Sequence, residues 1–216
     1  LPAGQRVRFE AGQYLQVRME DGSARCYSMA NPPHENDGVT LHIRHVPGGF
    51  FSSRVADLKP GDTLNIELPY GHVNLRPEDS RPIVFVAGGT GFAPVKSLLD
   101  DMARRKVERE ITLIWGAREA SGLYMGTAID KWRKQWPALR YVPALSEAPV
   151  DGLSQAFAGR VDEALSALQM DLRGRVVYAC GSPAMVEAVR RAALRAGADA
   201  ADIHADAFVS GPVATG

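Results

Sequence analysis

Only two cysteines, Cys26 and Cys180, occur in the 216 residues, and they stand far apart. A disulfide framework is thereby excluded, as is any four-cysteine zinc or iron–sulfur site built by this chain alone. The five histidines form no H-x-x-x-H or H-E-x-x-H spacing, so a zinc hydrolase finds no ligand set here. The G-x-S-x-G serine elbow is absent as well. Neither sign of charge predominates: 25 basic residues balance 25 acidic ones, which removes a global field for recruiting nucleic acid or an anionic membrane. No long apolar span, signal-peptide pattern, low-complexity tract or internal repeat appears. The expectation is a soluble, cytoplasmic protein without a membrane span, with room for one large or two modest domains. The chain opens on LPAGQRVRFEAGQ without an initiator methionine, so a fragment of a longer protein is expected, with an N-terminal strand lying outside it.

What is present changes texture near residue 80. Before it come short alternating runs, Leu15-Val17-Met19, Val39-Leu41-Ile43 and Leu64-Ile66-Leu68, each bounded by turn residues. Period two with such punctuation predicts a small antiparallel sheet or barrel. After it, apolar runs at 83–87, 111–115, 141–145 and 176–180 alternate with helical patterns, including 128–136, one through Val161, Leu165 and Leu168, and 183–196. That succession predicts a doubly wound parallel sheet. RPEDSRP at 76–82 is polar, carries two prolines and reads as the linker, giving a β domain over 1–77 and an α/β domain over 82–209.

Within the second domain, VFVAGGTGFAPVKSLLDDM at 84–102 passes from a buried-strand pattern through a glycine turn into a helix. Val95, Leu98, Leu99 and Met102 form one apolar stripe, and Pro94 suits a first helical turn, where its missing N–H costs nothing. Gly88, Gly89 and Gly91 permit positive φ and close approach, so free N–H groups and the helix dipole can face a phosphate. Against the dinucleotide fingerprint, Gly89 and Gly91 match while Pro94 replaces the third glycine. A tight βα turn that binds nothing is an equal reading of this motif alone. In the first domain, Gly48 and Gly49 precede a brief helical stripe of Phe51, Val55 and Leu58, with the Ser52 and Ser53 hydroxyls in its first turn, a second possible cradle. In ARCYSMANPP, Arg25 brings a fork suited to phosphate, Tyr27 a flat amphipathic ring and Ser28 a small donor and acceptor. A capped helix and a hairpin with an exposed arginine are the bland alternatives.

Taken in order, Arg25-Cys26-Tyr27-Ser28 with Met29-Ala30-Asn31, Gly48-Gly49-Phe50-Phe51-Ser52, Gly88 to Pro94, and Cys180-Gly181-Ser182-Pro183 resemble the ferredoxin–NADP reductase superfamily. Within it the chain is most similar to the NADH-dependent reductase components of bacterial oxygenases and to the CDP-6-deoxyhexose reductases, over almost its whole length. The resemblance implies an FAD-binding β-barrel followed by a nicotinamide-binding α/β domain. It implies that Arg25 grips the FAD pyrophosphate, Tyr27 lines the isoalloxazine and Ser28 lies near flavin N5. His42, Ile43 and Arg44 would run beside the ribityl chain, and Gly49, Phe50, Phe51 and Ser52 would bind pyrophosphate. Strand alternation puts Ser28 on the face opposite Arg25 and Tyr27, so either the chain bends there or Ser28 acts through its backbone.

The loop with Gly89, Thr90, Gly91 and Pro94 would then receive the nicotinamide dinucleotide, and Cys180 with Gly181 would end a strand beside the nicotinamide ring. For Cys180 a small buried hydrophobe is the alternative, although strand C-terminal edges are where open α/β sheets bind ligands. Phe208 matches an aromatic stacked on the flavin, with a core phenylalanine as the rival reading. Ser182 and Pro183 also suit a helix start in any case. Arg118 and Glu119 argue in opposite directions over a 2′-phosphate, and NADH is favoured over NADPH. The implied activity is an NAD(P)H-dependent FAD oxidoreductase in which nicotinamide hydride reduces FAD, followed by one-electron delivery to a 2Fe–2S cluster in a ferredoxin-type domain or to a partner oxygenase. A free-flavin reductase and a non-catalytic nucleotide-sensing module are the competing readings.

Overall fold

The computed structural model describes residues 4–72, 78–147 and 156–208. Its first part holds an antiparallel sheet of β1 (Tyr14–Arg18), β2 (Ala24–Ser28) and β3 (Ile66–Tyr70), in the order β2-β1-β3. The register Leu15↔Tyr27 and Val17↔Arg25 puts Leu15 and Val17 on one face, where they pack with Val7, Phe9, Met29 and Phe51. Two sequence expectations are corrected here. Val39-Leu41-Ile43 forms no strand; it contributes a single bridge, Met29↔Leu41, and Leu41 and Ile43 still pack against the small core. The expected helix from Phe51 shrinks to turns and a 3-10 segment at Val55–Asp57. One buried anchor, Phe51, with Val55 only partly covered, gives too little apolar stripe to hold a longer helix.

The second part follows the predicted alternation. Its elements are β4 (Ile83–Gly88), α1 (Phe92–Arg104), β5 (Ile111–Ala117), α2 (Gly126–Gln135), β6 (Arg140–Leu145), β7 (Phe157–Ala158), α3 (Val161–Ala167), β8 (Val176–Gly181), α4 (Pro183–Arg195) and β9 (Ile203–Ala207). They build a parallel six-stranded sheet in the order β7-β6-β5-β4-β8-β9. Strand β4 is covered on both faces, which is why its sequence shows no alternation. Ile83, Phe85 and Ala87 face α1 and α2, while Val84 and Val86 face α3 and α4. The stripe Val95, Leu98, Leu99 and Met102 is buried on the first of these faces.

The order places a switch point between β4 and β8: the chain runs outward from β4 through β5 to β7, then returns to start β8 on the other side. Crevices at such points, outside the strand C-termini, are where open α/β sheets take ligands. The linker is not a loose tether. Arg81 binds Asp79 within it and reaches Asp202, just ahead of β9, at 2.6 Å. Hydrogen bonding from Arg81 holds the Asp79 carboxyl down at about 2.

Candidate functional site

At the switch point the glycine loop is a short 3-10 turn, Gly89–Gly91, leading directly into α1. Gly89 adopts φ +53°, and a Cβ there would meet open space, so the outer side of the loop is clear for a ligand. Gly91 is needed for the opposite reason: its Cβ would stand 2.1 Å from the Cys180 carbonyl oxygen of β8. No side chain caps the N-terminus of α1, whereas Ser182 caps α4 by accepting from the Met185 N–H. The uncapped end leaves backbone donors and the positive end of the dipole at the crevice. The Trp115 indole N–H donates to the Gly89 carbonyl at 3.0 Å, and its ring stacks on Phe92 at 3.8 Å. Trp115 thus secures the loop from below; its sequence signal was no more than an aromatic in a buried strand.

Strand β8 carries Cys180 between Ala87 of β4 and Asp206 of β9. Cys180 is buried, and burial pushes its thiol up, so it stays neutral. Phe208 follows β9 directly and is half-buried; its N–H donates to the Gly181 carbonyl at 2.7 Å. Across the crevice, Ser28 ends β2, and its hydroxyl donates to Asp206 Oδ2 at 3.4 Å. Asp206 was absent from the sequence expectations. Burial raises its carboxyl from 3.8 to about 6, partly opposed by the Ser28 hydrogen bond. A cavity of about 270 Å³ touches Cys180, Asp206, His204 and His72.

The β1–β2 register is regular through Tyr14↔Ser28, so β2 does not bend. Cys26 and Ser28 face the Asp206 side, and Arg25 and Tyr27 the other. The Tyr27 ring lies 5.5 Å from buried Phe51, while exposed Phe50 has the Arg54 guanidinium over it. Arg25 donates to the Ser23 hydroxyl and the Ala24 carbonyl, both at 3.0 Å. In the second loop, a Cβ on Gly49 would collide with Ser52 Oγ at 2.5 Å, and that oxygen accepts from the Val46 N–H. His42 faces the other domain, sharing a 2.9 Å hydrogen bond with the Tyr124 hydroxyl; Ile43 packs inward and Arg44 is exposed. Arg118 lies away at the end of β5, paired with Glu147 at 3.8 Å. The Ser52 hydroxyl also donates to the Val46 carbonyl at 3.3 Å, so it braces the turn at Gly49. The open loop over the uncapped end of α1 leaves backbone donors of the kind that suit a phosphate.

This geometry defines a two-domain protein in which an antiparallel β part meets an α/β part beside its switch point, with Ser28 of the first against Asp206 of the second. Residues 1–75 match the oxidoreductase FAD-binding domain, and residues 85–191 the oxidoreductase NAD-binding domain. Reductase component 2 of terephthalate 1,2-dioxygenase from a Comamonas species is 60% identical over 212 residues, 98% of this chain and 63% of that protein. The CDP-6-deoxy-L-threo-D-glycero-4-hexulose-3-dehydrase reductase of Yersinia pestis is 37% identical over 210 residues, 97% of this chain and 62% of its own. Among solved structures, the Amycolatopsis cytochrome P450 reductase GcoB superposes with a TM-score of 0.86 at 32% identity, over 95% of this chain and 62% of that one. The chain therefore spans under two thirds of these relatives. It belongs to the FAD- and NAD-binding oxidoreductases of the ferredoxin–NADP reductase superfamily.

Proposed function

We infer that this chain is the flavin-reducing portion of an NADH-dependent electron-transfer reductase, working in the cytoplasm. The observation that carries the reading is the convergence of Ser28, Cys180 and Asp206, from three strands and both domains, beside the loop at Gly89–Gly91. The FAD domain extends over 1–77 and the nicotinamide domain over 82–209. Arg25 and the turn from Gly49 to Ser52 would hold the FAD pyrophosphate, with Tyr27 and Phe208 beside the ring system and His42, Ile43 and Arg44 along the ribityl side. The loop from Gly89 to Pro94 would hold the nicotinamide dinucleotide against Cys180 and Gly181. FAD, when bound, accepts a hydride and releases electrons one at a time. The protein orients the two rings, and the Ser28–Asp206 pair holds or takes a proton at the crevice near pH 6. A 2Fe–2S centre in a further domain or a partner oxygenase would receive the electrons.

NADH fits the adenosine end better than NADPH does. Glu147 occupies Arg118, and the Glu147 N–H donates to the Arg118 carbonyl at 2.9 Å, which keeps that carboxylate beside the guanidinium a 2′-phosphate would need. The reading is tested by loading the protein with FAD, removing the excess and recording the visible spectrum before and after anaerobic NADH. Retained yellow flavin that bleaches is expected. Flavin that stays oxidised with both nicotinamides would indicate a sensing module, and failure to retain flavin would favour reduction of a diffusing one.

A further inference from the structure

We propose that Lys96 and Ser97 of α1 are positioning residues that set the spacing between the nicotinamide loop and the flavin strand. The proposal rests on the functional reading above and adds residues outside both binding loops. Two adjacent side chains of α1 donate to two adjacent carbonyls just past β2: Lys96 Nζ to Ala30 O at 3.3 Å and Ser97 Oγ to Asn31 O at 2.8 Å. Ser97 is completely buried, so its hydrogen bond competes with no water.

Both halves of this junction are held from behind. On the β side, the Asn31 amide donates to the Glu35 and Gly38 carbonyls and accepts from the Thr40 N–H, and the Ala30 N–H donates to the Thr40 carbonyl. On the helix side, Lys96 pairs with Asp100 at 2.8 Å, and Asp100 accepts from the Trp132 indole of α2 at 2.9 Å. The side chains of Lys96 and Asp100 are 16% and 10% exposed, so solvent screens the pair weakly. The joined elements are the two that carry the chemistry: α1 starts at the glycine loop, and β2 ends at Ser28. A small displacement at the junction is transmitted to the donor–acceptor distance, on which transfer between aligned groups depends steeply.

The test uses the FAD-loaded protein, its Ser97→Ala and Lys96→Met variants, and Lys96→Arg as the conservative change, in anaerobic stopped-flow with NADH. Expected for the first two variants are an unchanged flavin spectrum, half-saturation by NADH within about twofold of the parent and a limiting reduction rate lowered about tenfold. Lys96→Arg should recover most of that rate. Limiting rates within about twofold of the parent overturn the proposal, as does a loss that accompanies flavin release or that Lys96→Arg does not relieve. If NADH does not reduce the parent, the functional reading fails by itself, and hydrogen exchange over residues 29–40 then decides the junction. Faster exchange in Ser97→Ala supports it, and unchanged exchange overturns it.

Discussion

Replacing Asp206 by Asn tests the electrostatics of the crevice most directly. The carboxyl moves from 3.8 to about 6 on folding, chiefly through burial. About two units at about 1.4 kcal/mol each place the cost of its ionised form near 3 kcal/mol at full burial. Asp206 is only half-buried, and solvent screening reduces that to about 1–2 kcal/mol. Because the folded-state value is the higher one, the folded protein binds the extra proton between about pH 4 and 6. Stability therefore falls as pH rises through that window and stays lower above it. Asn keeps an acceptor for the Ser28 hydroxyl without the charge, so the variant should melt about 2–8 °C higher at pH 7.5. The gain should shrink towards zero as the pH is lowered to 4. Thermal melts of the two proteins across this range decide the matter: an equal gain at both ends, or none at pH 7.5, refutes the assignment. Under the reductase reading, the stabilised variant should also lose the limb near pH 6 in its turnover profile.

The remaining predictions concern neighbouring parts of the site. Ser28→Ala removes the hydrogen bond that favours the Asp206 carboxylate, so the same limb should move above pH 6 in kcat profiles. Gly91→Ala sets a Cβ against the backbone at Cys180 and should lower stability by about 1–3 kcal/mol in urea titrations, with weaker nicotinamide binding. Arg25→Ala deletes a charged donor to pyrophosphate and should raise the FAD dissociation constant roughly 10- to 100-fold by fluorescence titration, with the fold of the α/β domain unaffected. Glu147→Gln releases Arg118, so the ratio of kcat/KM for NADPH over NADH should rise by about fivefold or more.

Much of the framework was legible because it is written in local spacing. The lack of alternation in Ile83 to Ala87, the glycine turn and the stripe ending at Met102 each depend on neighbours a few residues away. Helix α1 accordingly follows the expected pattern. Val39-Leu41-Ile43 misled because alternation reports a buried face, which these residues do supply, but not the ladder partner a strand requires. Likewise, i, i+4 and i+7 spacing at Phe51 marked apolar contacts without enough of them to sustain a helix.

The sequence by itself therefore determined the order of a β part and an α/β part, the parallel winding of the second, and the loops able to approach a phosphate. These follow from period, turn chemistry and backbone freedom, all encoded within a few residues. Tertiary structure alone decided that Asp206 meets Ser28, 178 residues away, that Trp115 secures the Gly89 carbonyl, and that Arg81 ties the linker to Asp202. Those contacts depend on strand order and on how the two domains pack. A burial-raised carboxyl exists only once water has been displaced from both sides of the crevice.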